Sequence, residues 1–231
     1  MKKIFFTFIV LILTTKIAFS SEGDLYDFHW LDPDKKVYVL QNKAYPKKFK
    51  TYVGIGYLKN NSSKFQDSSG FAGYLGFNFH EEWAIEARHH QYTNKNNTDY
   101  QNILFVNGGE PFVRKMNSLD GGLLVWSPFY GKINTFNKII YFDLSFGVGY
   151  GQIKTQSNHE SVTTVNRQTE YKNEKHDAVL SKAALAVHLN KTFSVNLEYL
   201  NSSYKGMGPN VSVGEKIEHS GDLILSLSVS F

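Results

Sequence analysis

A chain of 231 residues with no cysteine, 15% aromatic residues and a formal charge of +4 is long enough for one domain, and no disulfide framework or thiolate metal centre supports it. The pI near 9.0 points towards an acidic partner such as nucleic acid. That reading fails on position, because Lys2, Lys3 and Lys16 supply three of the four surplus charges. They lie in MKKIFFTFIVLILTTKIAFS, residues 1–20, where Lys2 and Lys3 form a positive n-region, Ile4 to Leu13 an apolar core and Ala18-Phe19-Ser20 a small-x-small cleavage site. The apolar run is about ten residues, half of the ~20 a membrane-spanning helix needs, so the expectation is a cleaved secretory signal peptide. No cysteine follows it to make a lipoprotein signal. Cleavage leaves 211 residues with a charge of +1, and no nucleic-acid partner is expected.

Residues 21–48 show little alternation beyond Val37-Tyr38-Val39-Leu40, with turn signals at Asp32-Pro33-Asp34 and Pro46-Lys47-Lys48. From residue 49 onward a period of two dominates. In 49–58, Phe49, Thr51, Val53, Ile55 and Tyr57 share a face; in 70–80 the apolar set is Phe71, Leu75, Phe77 and Phe79; in 83–92 it is Trp83, Ile85 and Ala87. In 118–127, Leu123-Leu124-Val125-Trp126 is apolar on both faces and leaves the register open. Ile140, Phe142, Leu144, Phe146, Val148 and Tyr150 mark 139–150; Val179, Ala183, Leu185, Val187 and Leu189 mark 177–189; Phe193, Val195, Leu197 and Tyr199 mark 192–202. The eighth stretch, 221–231, sets Leu223, Leu225, Leu227, Val229 and Phe231 against Ile224, Ser226, Ser228 and Ser230.

Two connections are very short, Glu81-Glu82 and Asn190-Lys191, whereas 59–69, 93–117, 151–176 and 203–220 are long and polar. Long on one rim and short on the other is how outer-membrane barrels arrange outer loops and periplasmic turns. The connection over 127–138 breaks the rule by its length, and 102–106 and 160–165 read as strand extensions beyond a membrane. The less apolar faces carry Gly54, Gly56, Gly76, Gly147 and Gly149 with Ala84, Ala184 and Ala186. A water-facing exterior has no use for so many small residues in strands, and a crowded interior has. Aromatics gather near strand ends: Phe77, Phe79, Trp83, Phe193 and Phe231 towards one rim, and Tyr57, Phe71, Tyr150 and Tyr199 towards the other. They are placed as two interfacial girdles would be.

The expected fold class is therefore all-β, a transmembrane antiparallel up-and-down β-barrel of eight strands. Its domains are a signal peptide (1–20), a periplasmic pre-barrel segment (21–48) and an outer-membrane barrel (49–231). The stretch LDPDKKVYVLQNKAYPKKFKTYVGIGY, with Val37-Tyr38-Val39 and Gln41-Asn42-Lys43 ahead of the first strand, resembles the start of the outer-membrane β-barrel domain protein family. That resemblance extends in layout over the mature chain and carries no established activity. The last stretch resembles the closing strand of bacterial outer-membrane barrels. By that resemblance, Leu223, Leu225, Leu227, Val229 and Phe231 would be the C-terminal signal read by the barrel insertion machinery. Outer-membrane location implies periplasmic chaperones, outer-membrane lipid and lipopolysaccharide as partners, beside an unidentified extracellular ligand.

Inward faces receive Glu86, Arg88, Asp143, Lys182, Glu198 and Asp222, expected as one charge network across the lumen because unpaired buried charges are costly. His89 and His90 are adjacent, hence on opposite faces, and cannot hold one metal. No metal, cofactor or catalytic residue is assigned. The expected role is structural, adhesive or surface-interacting and non-enzymatic. The alternatives are a small solute channel and, more weakly, a lipid A-modifying enzyme, for which Glu218, His219, Ser220 and Asp222 are the only local approximation.

Overall fold

A computed structural model describes residues 43–135, 138–163, 170–208 and 214–231. The expected signal peptide and most of the pre-barrel segment lie outside the described residues. Eight strands follow in order: β1 (Thr51–Asn60), β2 (Gln66–Asn78), β3 (Trp83–Asn96), β4 (Arg114–Thr135), β5 (Lys138–Ser157), β6 (Lys172–His188), β7 (Phe193–Met207) and β8 (Glu215–Ser230). Each pairs antiparallel with its sequence neighbours, and β1 pairs with β8 from Tyr52↔Ser230 to Asn60↔Asp222. The sheet closes into a barrel and leaves no free edge along the seam.

Alternation located all eight strands, but not their lengths. β3, β5, β6 and β8 run several residues past the alternating stretch, towards the long-loop rim. There the outward face turns polar, as in Gln152, Lys154 and Gln156, so the hydrophobic signal fades while backbone pairing continues. The expected long connection over 127–138 does not exist as a loop. β4 and β5 pair down to Thr135↔Lys138, with a register shift between Trp126 and Phe129. That irregularity at Ser127-Pro128 breaks the period of two and hides the hairpin.

The expected strand extension at 102–106 is instead part of a helix, α1 (Thr98–Asn107). The Asn97 side chain accepts from Tyr100 N at 3.0 Å, and Gly108, at φ 64°, donates its N–H to Leu104 O at 3.0 Å. An Asx cap at one end and a left-handed glycine at the other outweigh the apolar run Ile103-Leu104-Phe105-Val106. Residues 160–163 likewise belong to a short helix, α2 (His159–Thr163), and 164–165 lie outside the described residues.

The burial alternates along the strands except where β4 and β5 run past Trp126 and before Asp143, and the inward face is mostly small and polar. The inward glycines make room for tyrosines. A Cβ at Gly54 would sit 2.2 Å from the Tyr74 ring and one at Gly76 would sit 2.1 Å from the Tyr52 ring. These are cross-strand partners, Gly54↔Tyr74 and Tyr52↔Gly76. The outward face carries Ile55, Phe71, Leu75, Ile85, Val148, Val179, Leu197, Leu225 and Leu227, all exposed.

Candidate functional site

The lumen is the place where charged side chains converge. Glu86 and Arg88 come from β3, Lys182 from β6 and Glu198 from β7, all buried. Lys182 Nζ lies 2.8 Å from Glu86 Oε2 and 3.4 Å from Glu198 Oε2. Arg88 Nη2 donates to Glu198 Oε2. Arg88 Nε approaches Glu86 Oε1 at 2.6 Å as an ion pair that lacks hydrogen-bond alignment. Two cations thus face two carboxylates, and the cluster is neutral as a whole. Tyr52 OH donates to Glu86 at 2.9 Å, Ser226 Oγ donates to Glu198 at 3.2 Å, and the Arg88 guanidinium lies 4.9 Å from the Tyr74 ring centre. These neighbours supply partners that water would otherwise supply, which a buried ionic cluster requires.

One inward step towards the long-loop rim the chemistry changes. Leu180 follows Lys182 on β6 and Leu200 follows Glu198 on β7. With Leu58, Leu119, Ile153 and Ile224 they show no exposure and belong to one buried apolar cluster. The sequence reading placed Ile224 on the inward face but did not join it to Leu58, Leu119, Ile153, Leu180 and Leu200, because the stagger between strands decides which of them lie level across the bore.

Asp143 and Asp222 do not join Glu86, Arg88, Lys182 and Glu198, so the single six-residue network is corrected to separate clusters. Asp222 accepts from Asn60 Nδ2 at 2.7 Å and from Tyr92 OH at 2.5 Å, and lies 3.1 Å from His90 Nδ1. Asp143 sits at the short-turn rim, 3.0 Å from Lys47 Nζ and 2.6 Å from His188 Nε2. His188 in turn shares a hydrogen bond with Ser194 at 2.8 Å. Lys47 belongs to a segment drawn across that rim by Glu81, whose carboxylate accepts from the N–H of Lys47 and of Lys48 at 2.9 and 3.0 Å and pairs with Lys43 at 3.3 Å. Partial burial pushes Glu81 up, yet the Lys48 N–H and the Lys43 charge hold it below the usual carboxylate range. Between this latch and the central cluster lies a polar cavity of about 90 Å³ that reaches Asp143, Lys182 and Glu198.

At the opposite rim, outside the apolar belt, Glu174 accepts from Ser157 Oγ at 2.5 Å and pairs with Arg114 Nε at 3.2 Å and His176 Nε2 at 3.1 Å. Burial opposes its ionisation, but these partners bring its pKa down to about 2.

The residues considered for lipid A chemistry do not assemble. Ser220 and Asp222 are buried inward, while His219 faces outward and meets Ser203 Oγ on β7 at 2.9 Å. The five residues of the expected C-terminal signal lie on the outward face, with Leu223, Leu225, Leu227 and Phe231 exposed and Val229 half-buried. Phe231 itself donates its N–H to Thr51 O at 2.9 Å.

No protein-family model and no curated protein matches the chain. Among solved structures it is similar to Ail, the attachment invasion locus protein of Yersinia pestis, at 10% identity and TM-score 0.43, over 80% of this chain and 99% of that one. It is also similar to the outer membrane protein OprG from Pseudomonas aeruginosa, at 12% identity and TM-score 0.45, over 82% and 99%. A third is Neisserial surface protein A, at 11% identity and TM-score 0.44, over 79% and 97%.

Proposed function

We propose that the chain is an integral outer-membrane barrel with a sealed lumen, acting as a structural, adhesive or surface-interacting protein rather than as a channel or an enzyme. The observation that carries the reading is the filled interior: a neutral ionic cluster backed by six fully buried Leu and Ile side chains. An eight-stranded barrel is just wide enough for its own side chains, and this one uses the space. The apolar exterior supports the membrane address. From Leu223 to Phe231 the outward face of β8 spans roughly 26 Å along the strand, about 20 Å along the axis at the usual tilt. That is close to the ~25 Å band of outer-membrane barrels. The mature protein begins at Ser21 in this reading, and the outward residues from Leu223 to Phe231 are those the insertion machinery would engage. Protein refolded into a planar bilayer should give no steady conductance. Steady wild-type conductance would replace the structural reading with the transport one.

A further inference from the structure

Among the described residues, Phe49 is the one non-glycine with a positive φ, 60°. It sits in a turn closed by the Lys50 N–H, which donates to Lys47 O at 3.0 Å, at the third position, where a positive φ favours glycine. An aromatic residue there holds backbone strain that neighbouring contacts must offset, and such strain gathers at clamps and switches. The β1 side of the turn is fixed, since the Phe49 N–H donates to Asn78 O at 2.7 Å.

On the other side of the turn, residues 43–48 cross the short-turn mouth towards β5 and its neighbours, opposite β1 in a ring of eight. Lys47 Nζ meets Asp143 at 3.0 Å, and Tyr45 lies edge-on to Tyr141 with ring centres 5.1 Å apart. The Ala44 N–H donates to Tyr130 OH at 3.1 Å, while Glu81 ties down Lys43 and the N–H groups of Lys47 and Lys48. No residue of 43–48 is fully buried, and none belongs to the apolar core. Polar contacts at an exposed rim have small net worth, and a segment held by them opens locally while the core stays folded. Beneath the segment lies the polar cavity of about 90 Å³, which Lys47 lines together with Asp143, Ser145, His188 and Ser228.

We propose that residues 43–48 form a lid, hinged at Phe49 and latched by Glu81 and Asp143. It opens without unfolding of the barrel and controls the entry of small polar solutes from the periplasm into this cavity. A strained hinge, a polar latch and a cavity beneath are the parts of a lid, whereas a fixed crossing gains nothing from the strain. The periplasmic direction rests on the outer-membrane reading above. Opening leads into a blind pocket, because the aliphatic plug lies beyond the central cluster and stays closed.

The chain has no cysteine, so Ser145→Cys in the full mature chain reports on the cavity, with Ser228→Cys as a second reporter should the first fail to fold. Heat-modifiable gel mobility identifies folded variants. Labelling by 2-aminoethyl methanethiosulfonate in detergent is followed by intact mass. With the lid latched, the reporter should react about a hundredfold more slowly than Lys191→Cys on the exposed turn. Glu81→Ala, which removes the latch without touching the cavity lining, should speed the reporter about tenfold, ~1.4 kcal/mol in the opening equilibrium. Ser202→Cys, buried on the far side of the aliphatic plug, should not respond to Glu81→Ala. A reporter as fast as Lys191→Cys, or one unmoved by Glu81→Ala, would overturn the proposal. Equal acceleration at Ser202→Cys would overturn it too, because the whole barrel would then be loosening. The assay needs no bilayer, so its failure sinks only the lid; recovery of wild type in the soluble fraction after carbonate treatment sinks the membrane reading and the periplasmic direction with it.

Discussion

The centre of the lumen and the stretch just beyond it fill the same bore by opposite means. Around Arg88 each charge is held by geometry, and no member can be removed without leaving the cluster with an unbalanced charge. Around Leu200 the contacts are non-directional and tolerate exchange if volume is kept. Charges tie β3, β6 and β7 together across the lumen, from four strands apart in the case of Arg88 and Glu198. The aliphatic side chains do not choose partners; they exclude water. The difference teaches that one cluster selects the arrangement and the other seals it.

The sharpest way to break this contrast is Arg88→Ala, which leaves Glu86 and Glu198 facing Lys182 alone. Loss of a buried ionic partner costs about 3–5 kcal/mol, read as a lowered urea midpoint in lipid vesicles. Arg88→Leu combined with Glu198→Leu should lose less than the single change if the penalty is an orphaned charge rather than a lost attraction. Equal losses would remove the distinction between the two clusters. Leu200→Ala should cost about 2–5 kcal/mol through the cavity it leaves, whereas Leu200→Ile stays under about 1.5 kcal/mol; matching losses for the two would say that this region is not close-packed.

The exterior sharpens the comparison further. Leu225→Arg should cost roughly 2–4 kcal/mol if that face meets hydrocarbon, and His219→Arg, on the same face above the belt, about 0–1. An unchanged urea midpoint for Leu225→Arg would place the face outside the membrane.

The smallest effect concerns Glu174. Its folded pKa of about 2 lies below the ordinary 4.5, so its contribution is full above pH 4.5 and is lost as pH falls towards 2. The carboxylate is partly solvated, which holds that contribution to less than about 1 kcal/mol. Glu174→Gln should lower the urea midpoint near pH 7 by the equivalent of that contribution, flatten the acid limb between pH 4.5 and 2, and leave values near pH 2 almost unchanged.

An apolar exterior on one face and crowding on the other made the eight strands legible, since such surroundings force a period of two. Beyond the belt that forcing ends, which is why the extensions of β5 and β6 went unread. The signals for α1 stood in the chain, in Asn97 and the Gly108-Gly109 pair, but an apolar run between them imitated a strand. Inward placement of the six charges was readable from parity. Their partners were not, because the stagger between strands decides whether Lys182 meets Glu86, and no single strand encodes it. Lys47, His90 and His188 lay outside the expected set for the same reason: each becomes relevant only through what the closed barrel brings beside it.

The seam between β1 and β8 bears on how fast the protein can form. Every other strand pair can zip from a local connection, but Asn60 and Asp222 are 162 residues apart. Joining them carries a loop-closure cost of about 4–5 kcal/mol beyond a constant, which must be met before Leu58↔Ile224 and the other seam pairs return anything. Until then the sheet has two open edges and an apolar outer face, a template for pairing with other chains. Closure is therefore the slow, late step, and its rate relative to encounters between unfinished chains divides assembly from aggregation.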